Sequence, residues 1–276
     1  MTAMDRAFVG LLLLQGFTTT GAKYVFVDQK MSWYDAQSYC REFHTDLAPV
    51  INDIQLQELR EISGYVSQFW TGLVRNFTDR EEWMWSGGGR ASTAPWSPGQ
   101  PNGRPNNDFG MMIHYRIHNE NKEHEVFFFC YEAIVVRERV SWEEALEHCR
   151  EQHNHLASLA SRTETLLVQR ELEKNFSTQY VWMGLRYFPG GWRWVDGEPL
   201  AYKGWVGEEP LCPALRLKCG ALKVKGRMPS IDTDSSVSFD SNDTITGERL
   251  GTDTVFLKES VWEAWDCEQR LYFICS

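Results

Sequence analysis

Ser32-Trp33-Tyr34-Asp35-Ala36, Cys40-Arg41-Glu42-Phe43-His44 and Leu47-Ala48 recur 109 positions later as Ser141-Trp142-Glu143-Glu144-Ala145, Cys149-Arg150-Glu151-Gln152-His153 and Leu156-Ala157. The echo runs on. Trp70-Thr71-Gly72-Leu73 is answered by Trp182-Met183-Gly184-Leu185, and Trp83-Met84-Trp85 by Trp192-Arg193-Trp194. Trp96 with Gln100-Pro101 is answered by Trp205 with Glu209-Pro210, and Phe129-Cys130 by Ile274-Cys275. A period this long marks the duplication of a whole domain rather than a solenoid of short units. The 276 residues agree with two domains of roughly 100–200 residues each. The predicted domains are 23–130 and 131–276. No Pro- or Ser-rich linker separates them, so they are expected to abut.

Each copy has the same local pattern. Ser141 with Glu144 forms a capping box and Ser32 with Asp35 a weaker one. The apolar spacing behind each predicts an amphipathic helix carrying Cys149 or Cys40. Second helices are predicted near Asp53–Ile62 and Arg162–Glu173, the latter capped by Ser161 with Glu164. Short Trp- and Val-rich strands follow, broken by Gly, Pro and Asp turns. Terminal strands close the copies at Val126–Phe129 and Leu271–Ile274. The fold class is therefore α+β, with two tandem domains of two helices and short antiparallel sheets each. Residues 225–254 stand apart, being rich in Ser, Thr, Asp and Gly. Such a segment buries too little apolar surface to offset its ordering entropy, and it is predicted to be a disordered insert.

The N-terminus reads as a secretory signal peptide over residues 1–22. Arg6 precedes the apolar run Ala7–Leu14, and small residues lead to Ala22. The run is too short for a membrane span of about 20 residues, and no later stretch reaches that length. The expectation is a secreted, extracellular protein without a membrane span. In that compartment disulfides are the default for the seven cysteines. An odd count leaves one as a free thiol or as a bridge to a second chain. Sequons at Asn76, Asn175 and Asn242 mark a glycoprotein. The net charge of −10 argues against nucleic acid, whose binding rests on Lys and Arg meeting phosphates.

Together, the S-W-x-x-A-x-x-x-C helix, the W-x-G-L and W-x-W strands, the Gln-Pro or Glu-Pro loop and the closing strand that ends in Cys resemble the C-type-lectin-like domain. The resemblance covers both copies, and the arrangement is similar to secreted tandem-domain lectins and to the repeat units of the macrophage mannose receptor. It implies that each copy is closed by a terminal disulfide, Cys40–Cys130 and Cys149–Cys275, and that Cys219–Cys267 pins the long loop of the second copy. The matching positions in the first copy fall at about Gly110 and Lys122. Both half-cystines are missing there, so that loop is expected to be more mobile. Cys212 is left over as the candidate for a disulfide-linked dimer.

Sugar-binding members of this family hold Ca2+ in the long loop, and the cation takes about 6–8 oxygen ligands, several of them carboxylates. The resemblance maps that set onto Gln100, Asn102, Asp108, His118 and Asn119 in the first copy, with Gln100-Pro101 at the loop's usual cis peptide. Only Asp108 brings a charge. In the second copy Leu211 and Leu217 cannot ligate, and Glu209 and Glu263 are the remnants of a degenerate site. Calcium therefore has a place only in the first copy, on a thin ligand set. Trp96, Trp205 and Trp265 could stack on a sugar, with Trp96 and Trp205 assigned first to the core.

His114 and His118 are four apart, but they fall in a loop-to-strand region where helical zinc geometry fails. No hydrolase, phosphate-loop or dinucleotide motif stands in a fitting context. No catalytic residue is assigned, and the chain is not read as an enzyme. Two readings of function remain, because the fold alone does not choose between them. One is a secreted C-type-lectin-like protein that binds a glycan or glycoprotein with little or no dependence on calcium. The other is a protein–protein interaction module whose sugar sites have decayed.

Overall fold

The computed structural model describes residues 23–64, 66–175, 178–211, 213–214, 216–224 and 261–276. Residues 1–22, expected above to be a signal peptide, and Cys212, Asn242 and the expected 225–254 insert lie outside the described residues. The first copy runs β1 (Tyr24–Met31), α1 (Trp33–Phe43), β2 (Asp46–Leu47), α2 (Asp53–Ile62), β3 (Gln68–Arg75), β4 (Trp83–Trp85), β5 (Phe109–Ile113), β6 (Arg116–Glu120) and β7 (Val126–Tyr131). The second runs β8 (Ile134–Val140), α3 (Trp142–Gln152), α4 (Arg162–Asn175), β9 (Tyr180–Phe188), β10 (Gly191–Trp194), β11 (Cys219–Lys223), β12 (Trp262–Trp265) and β13 (Leu271–Cys275). Each copy is an α+β unit of two helices on a sheet.

The caps act as their sequences direct. Ser32 accepts from the Asp35 amide, and Ser141 with Glu144 completes a reciprocal capping box. The buried stripe of α1 is Trp33, Ala36 and Cys40, and that of α3 is Trp142, Ala145 and Cys149. That spacing turns one helix face to the core. The repeated histidines, His44 and His153, end these helices, and their amides donate to the Cys40 and Cys149 carbonyls.

The sheets run β1-β7-β3-β5-β6 and β12-β11-β9-β13-β8. β3 with β7 and β9 with β13 are the parallel contacts within otherwise antiparallel ladders. The sequence pattern does not reveal β1 and β8. Both are edge strands with largely exposed or half-buried side chains, so they lack a strong apolar alternation. They pair with the closing strands, Val25 opposite Cys130 and Ile134 opposite Cys275. The Cys40–Cys130, Cys149–Cys275 and Cys219–Cys267 sulfurs are bonded at 1.99, 1.97 and 2.09 Å. The glycine of W-x-G-L is required by space: a Cβ on Gly184 would lie 2.3 Å from the Leu156 carbonyl oxygen, and on Gly72 2.6 Å from that of Leu47.

Internal comparison moves one sequence equivalence. Trp33 N–H donates to the Lys122 carbonyl just as Trp142 N–H donates to that of Cys267, both at 2.9 Å. Lys122 therefore holds the place of Cys267. The counterpart of Cys219 is Phe109, not Gly110. Phe109 pairs with Val74 on β3 as Cys219 pairs with Arg186 on β9, while Gly110 and Gly220 approach Leu73 and Leu185 in the same way. Phe109 sits at ring-centroid distances of 4.8 Å from Trp33 and 5.4 Å from Tyr34, and the Lys122 ammonium lies 5.0 Å from the Tyr34 ring. An aromatic cluster capped by a cation thus joins the two points that the second copy joins by a disulfide.

The copies abut along a mixed interface. One continuous buried cluster includes Leu56 and Leu59 of α2 and Leu167, Val168 and Leu172 of α4. Beside it, the buried Lys23 ammonium lies 2.6 Å from Glu164 and 3.0 Å from Glu198. Gln55 donates to both carboxylates at 3.0 and 3.2 Å, and Asn52 donates to Glu198 at 3.1 Å. Burial alone would lower the Lys23 pKa, but the two carboxylates hold it well above the ordinary lysine value. Burial raises Glu164. Burial also works to raise Glu198, yet Lys23 and the two amides hold it below the usual range. A second tie joins Arg170 of the second copy to the buried Asp46 of the first.

Glu58 borders this cluster, and burial pushes its pKa up to about 7 against the pull of Lys23, with Glu198, Asp196 and Glu164 adding to the rise. The unfolded chain would titrate it near 4.3. The folded form therefore holds this proton more tightly. Its contribution is complete below the unfolded value and is lost as pH rises through about 7. Thermal unfolding should show the wild type losing about 2 kcal/mol more than Glu58→Gln between pH 5 and pH 8, after allowance for partial solvent screening. Parallel pH profiles for the two proteins would refute that.

Candidate functional site

Four of the five first-copy site residues meet in one place. The Gln100–Pro101 peptide is cis, and β6 carries His118 and Asn119 against it. Asn119 is fully buried and organises the loop. Its Oδ1 accepts from the Asn102 amide at 2.8 Å, and its Nδ2 donates to the carbonyls of Asn102 and Asn107 at 3.0 and 2.9 Å. Gln100 Oε1 accepts from the Asn102 and Asn119 amides at 3.1 and 3.4 Å, and Gln100 Nε2 lies 3.3 Å from His118 Nδ1. Gln100, Asn102 and His118 remain half-buried at the edge.

Asp108 stands apart from this group. Its carboxylate is held by Arg75 at 2.7 Å and by Arg80 at 2.9 and 3.0 Å. Asn107, which the sequence did not single out, takes part instead, donating to the Asn119 carbonyl at 3.0 Å. Only its adjacency to Asp108 could have pointed to it.

The calcium set of the family does not fit these residues. The first-copy amide oxygens already accept backbone N–H groups, and its one acid is neutralised by two arginines. In the second copy, Glu209 is paired with Lys203 at 2.5 Å, and Glu263 accepts from the Tyr180 hydroxyl at 3.0 and 3.1 Å. These two acids are thus engaged separately. Glu143, Cys219 and Cys267 approach within 4.8 Å of one another, but the two sulfurs are bonded to each other, which removes them as ligands. His114 is exposed in the turn between β5 and β6, with positive φ at His114 and Tyr115, so it shares no helix face with His118.

The tryptophans divide. Trp205 is buried against Trp192, at 4.7 Å between centroids, and Trp96 is half-buried on Trp83 at 4.8 Å. Trp265 lies 4.4 Å from Tyr180. Asn76 is in the turn after β3, its Oδ1 accepting from the Thr78 amide and hydroxyl. Asn175 is the last residue of α4.

Set against known proteins, the chain matches the family described as the Lectin C-type domain twice, over residues 29–130 and 138–239. It belongs to the C-type lectin domain family. Among its relatives, C-type mannose receptor 2 of Mus musculus is 24% identical over 237 residues, covering 70% of this chain and 16% of that protein. A snaclec of Philodryas olfersii is 38% identical over 96 residues, covering 33% of this chain and 60% of its own length. The chain therefore spans a small part of the receptor it matches. Human lithostathine overlays on 42% of this chain and 95% of its own at 21% identity, with a TM-score of 0.37. Domains of this family are generally binding modules rather than enzymes. Among the described residues, no helix is long and apolar enough to cross a membrane.

Proposed function

We propose that the protein is a secreted, glycosylated lectin-like recognition protein whose first copy binds carbohydrate without calcium, at the edge formed by Gln100, Asn102 and His118. The observation that carries this reading is the position of Asn119. Its three hydrogen bonds tie the two sides of the loop together, the organising task that a cation performs where carboxylates converge. The loop then keeps a half-buried polar edge, and the amide and imidazole groups there suit sugar hydroxyls.

A glycan array run with Ca2+ and with EDTA tests this. Equal binding in both conditions is expected, with Asn102→Ala weakening it at least about tenfold, the effect of about 1.4 kcal/mol. Binding abolished by EDTA would overturn the calcium-free reading. No binding under either condition would leave the protein-ligand alternative, with the sugar edge decayed.

A further inference from the structure

Where the first-copy loop is a neutral edge, the second copy carries an open, basic pocket of about 600 Å³ between α3 and the β9–β10 hairpin. Its volume is that of a site for a ligand of a few rings. Arg150, Arg186, Arg193 and Lys218 all line it. In a chain of net charge −10, four cations on one concave face call for a cause.

Arg186 is paired with Glu143 at 2.5 Å, and its guanidinium lies 4.7 Å from the Trp142 ring. Arg150, Arg193 and Lys218 have no acidic partner among the described residues. Arg186 and Arg193 are also direct cross-strand neighbours. Like charges set opposite each other destabilise a sheet; Glu143 answers Arg186, and a ligand anion at Arg193 completes the compensation.

The first copy supplies an internal control. By strand register, Arg186 and Arg193 correspond to Val74 and Met84, and Lys218, the residue before the Cys219 counterpart of Phe109, corresponds to Asp108. Arg150 corresponds to Arg41, which is spent on Asp46 at 3.4 Å. The cationic face is therefore a property of the second copy and not of the fold.

We propose that this pocket binds an acidic oligosaccharide through its sulfate or carboxylate groups. Arginine forks match such oxyanions in bidentate geometry. Tyr187 and Phe188, half-buried and exposed, supply the apolar wall on which sugar rings rest. The site is separate from the first-copy edge and needs no cation. Glu143 already engages one arginine, so the other three basic groups carry the contacts to the ligand.

The test is titration calorimetry of the full chain in EDTA with a heparin-derived tetrasaccharide, an uncharged tetrasaccharide, a non-sulfated uronic acid tetrasaccharide and a sulfotyrosine peptide. The sulfated tetrasaccharide should bind, and more weakly at high salt. The triple variant Arg150→Ala, Arg193→Met, Lys218→Ala should lose at least about tenfold in affinity while its unfolding temperature stays the same or rises. Asn102→Ala should leave this binding unchanged, which separates it from the first-copy site. The uronic acid control separates the two anion sources: binding weaker than the sulfated form assigns sulfate, and equal binding assigns carboxylate. Full affinity in the triple variant, equal binding of the uncharged tetrasaccharide, or tighter binding of the peptide would each overturn the proposal.

Discussion

Lys23→Met should lower the unfolding free energy by about 3–5 kcal/mol, measured by urea denaturation at pH 7.5. The lysine is the cation of a cluster that otherwise holds Glu164 and Glu198. Removing it leaves two carboxylates that Gln55, Asn52 and Ser161 can hydrogen-bond but not neutralise. Buried charges without a partner respond by taking up protons, so the loss should shrink toward pH 5. The double variant Lys23→Met, Glu164→Gln should regain a good part of the loss, because cation and anion are then removed together. If the single variant were as stable as the wild type, the cluster would be a bystander of the apolar contact beside it.

Phe109→Ala should cost about 3–5 kcal/mol, the range for truncating a buried aromatic side chain. Phe109 is buried, and it bridges α1 to the start of β5 through Trp33 and Tyr34. The second copy achieves the same junction covalently with Cys219–Cys267. Phe109→Cys combined with Lys122→Cys should therefore close a disulfide on oxidation, visible in a non-reducing peptide map, and should recover stability relative to Phe109→Ala. Failure of the bridge to form would undo the equivalence of Phe109 with Cys219 and of Lys122 with Cys267. The same cluster removes the reason for expecting a looser first-copy loop, since the missing half-cystines are replaced by packing and a cation–π contact.

The duplication, the helices and the closing strands could be read from the sequence because their signals are local. A cap three residues from its partner or a Trp, Ala and Cys stripe on one face needs no knowledge of the rest of the chain. The first-copy loop was half legible. Gln100, Asn102, His118 and Asn119 converge, but Asp108 turns to Arg75 and Arg80 on the neighbouring strand turn. No spacing rule reveals which of two pulls a carboxylate obeys. Placing the Cys219 counterpart one residue late has a similar origin: strand register, not linear spacing, fixes it. Least legible were the contacts made at long range. Lys23 meets Glu198 from 175 positions away, and the second-copy cations come from a helix, two strands and the approach to a third.

The joint between the copies is only Glu132 and Ala133, between the end of β7 and the start of β8. Even these two are fastened: Glu132 N–H donates to the Lys23 carbonyl at 2.9 Å and Ala133 N–H to the Thr45 hydroxyl at 3.0 Å. A tether this short makes docking of one copy on the other a unimolecular event, with an effective concentration that no test-tube mixture of separate halves reaches. Diluting the protein leaves that concentration unchanged. The copies therefore stay docked at any abundance, and what parts them is chemical, a cut at the joint or the loss of the charges beside it.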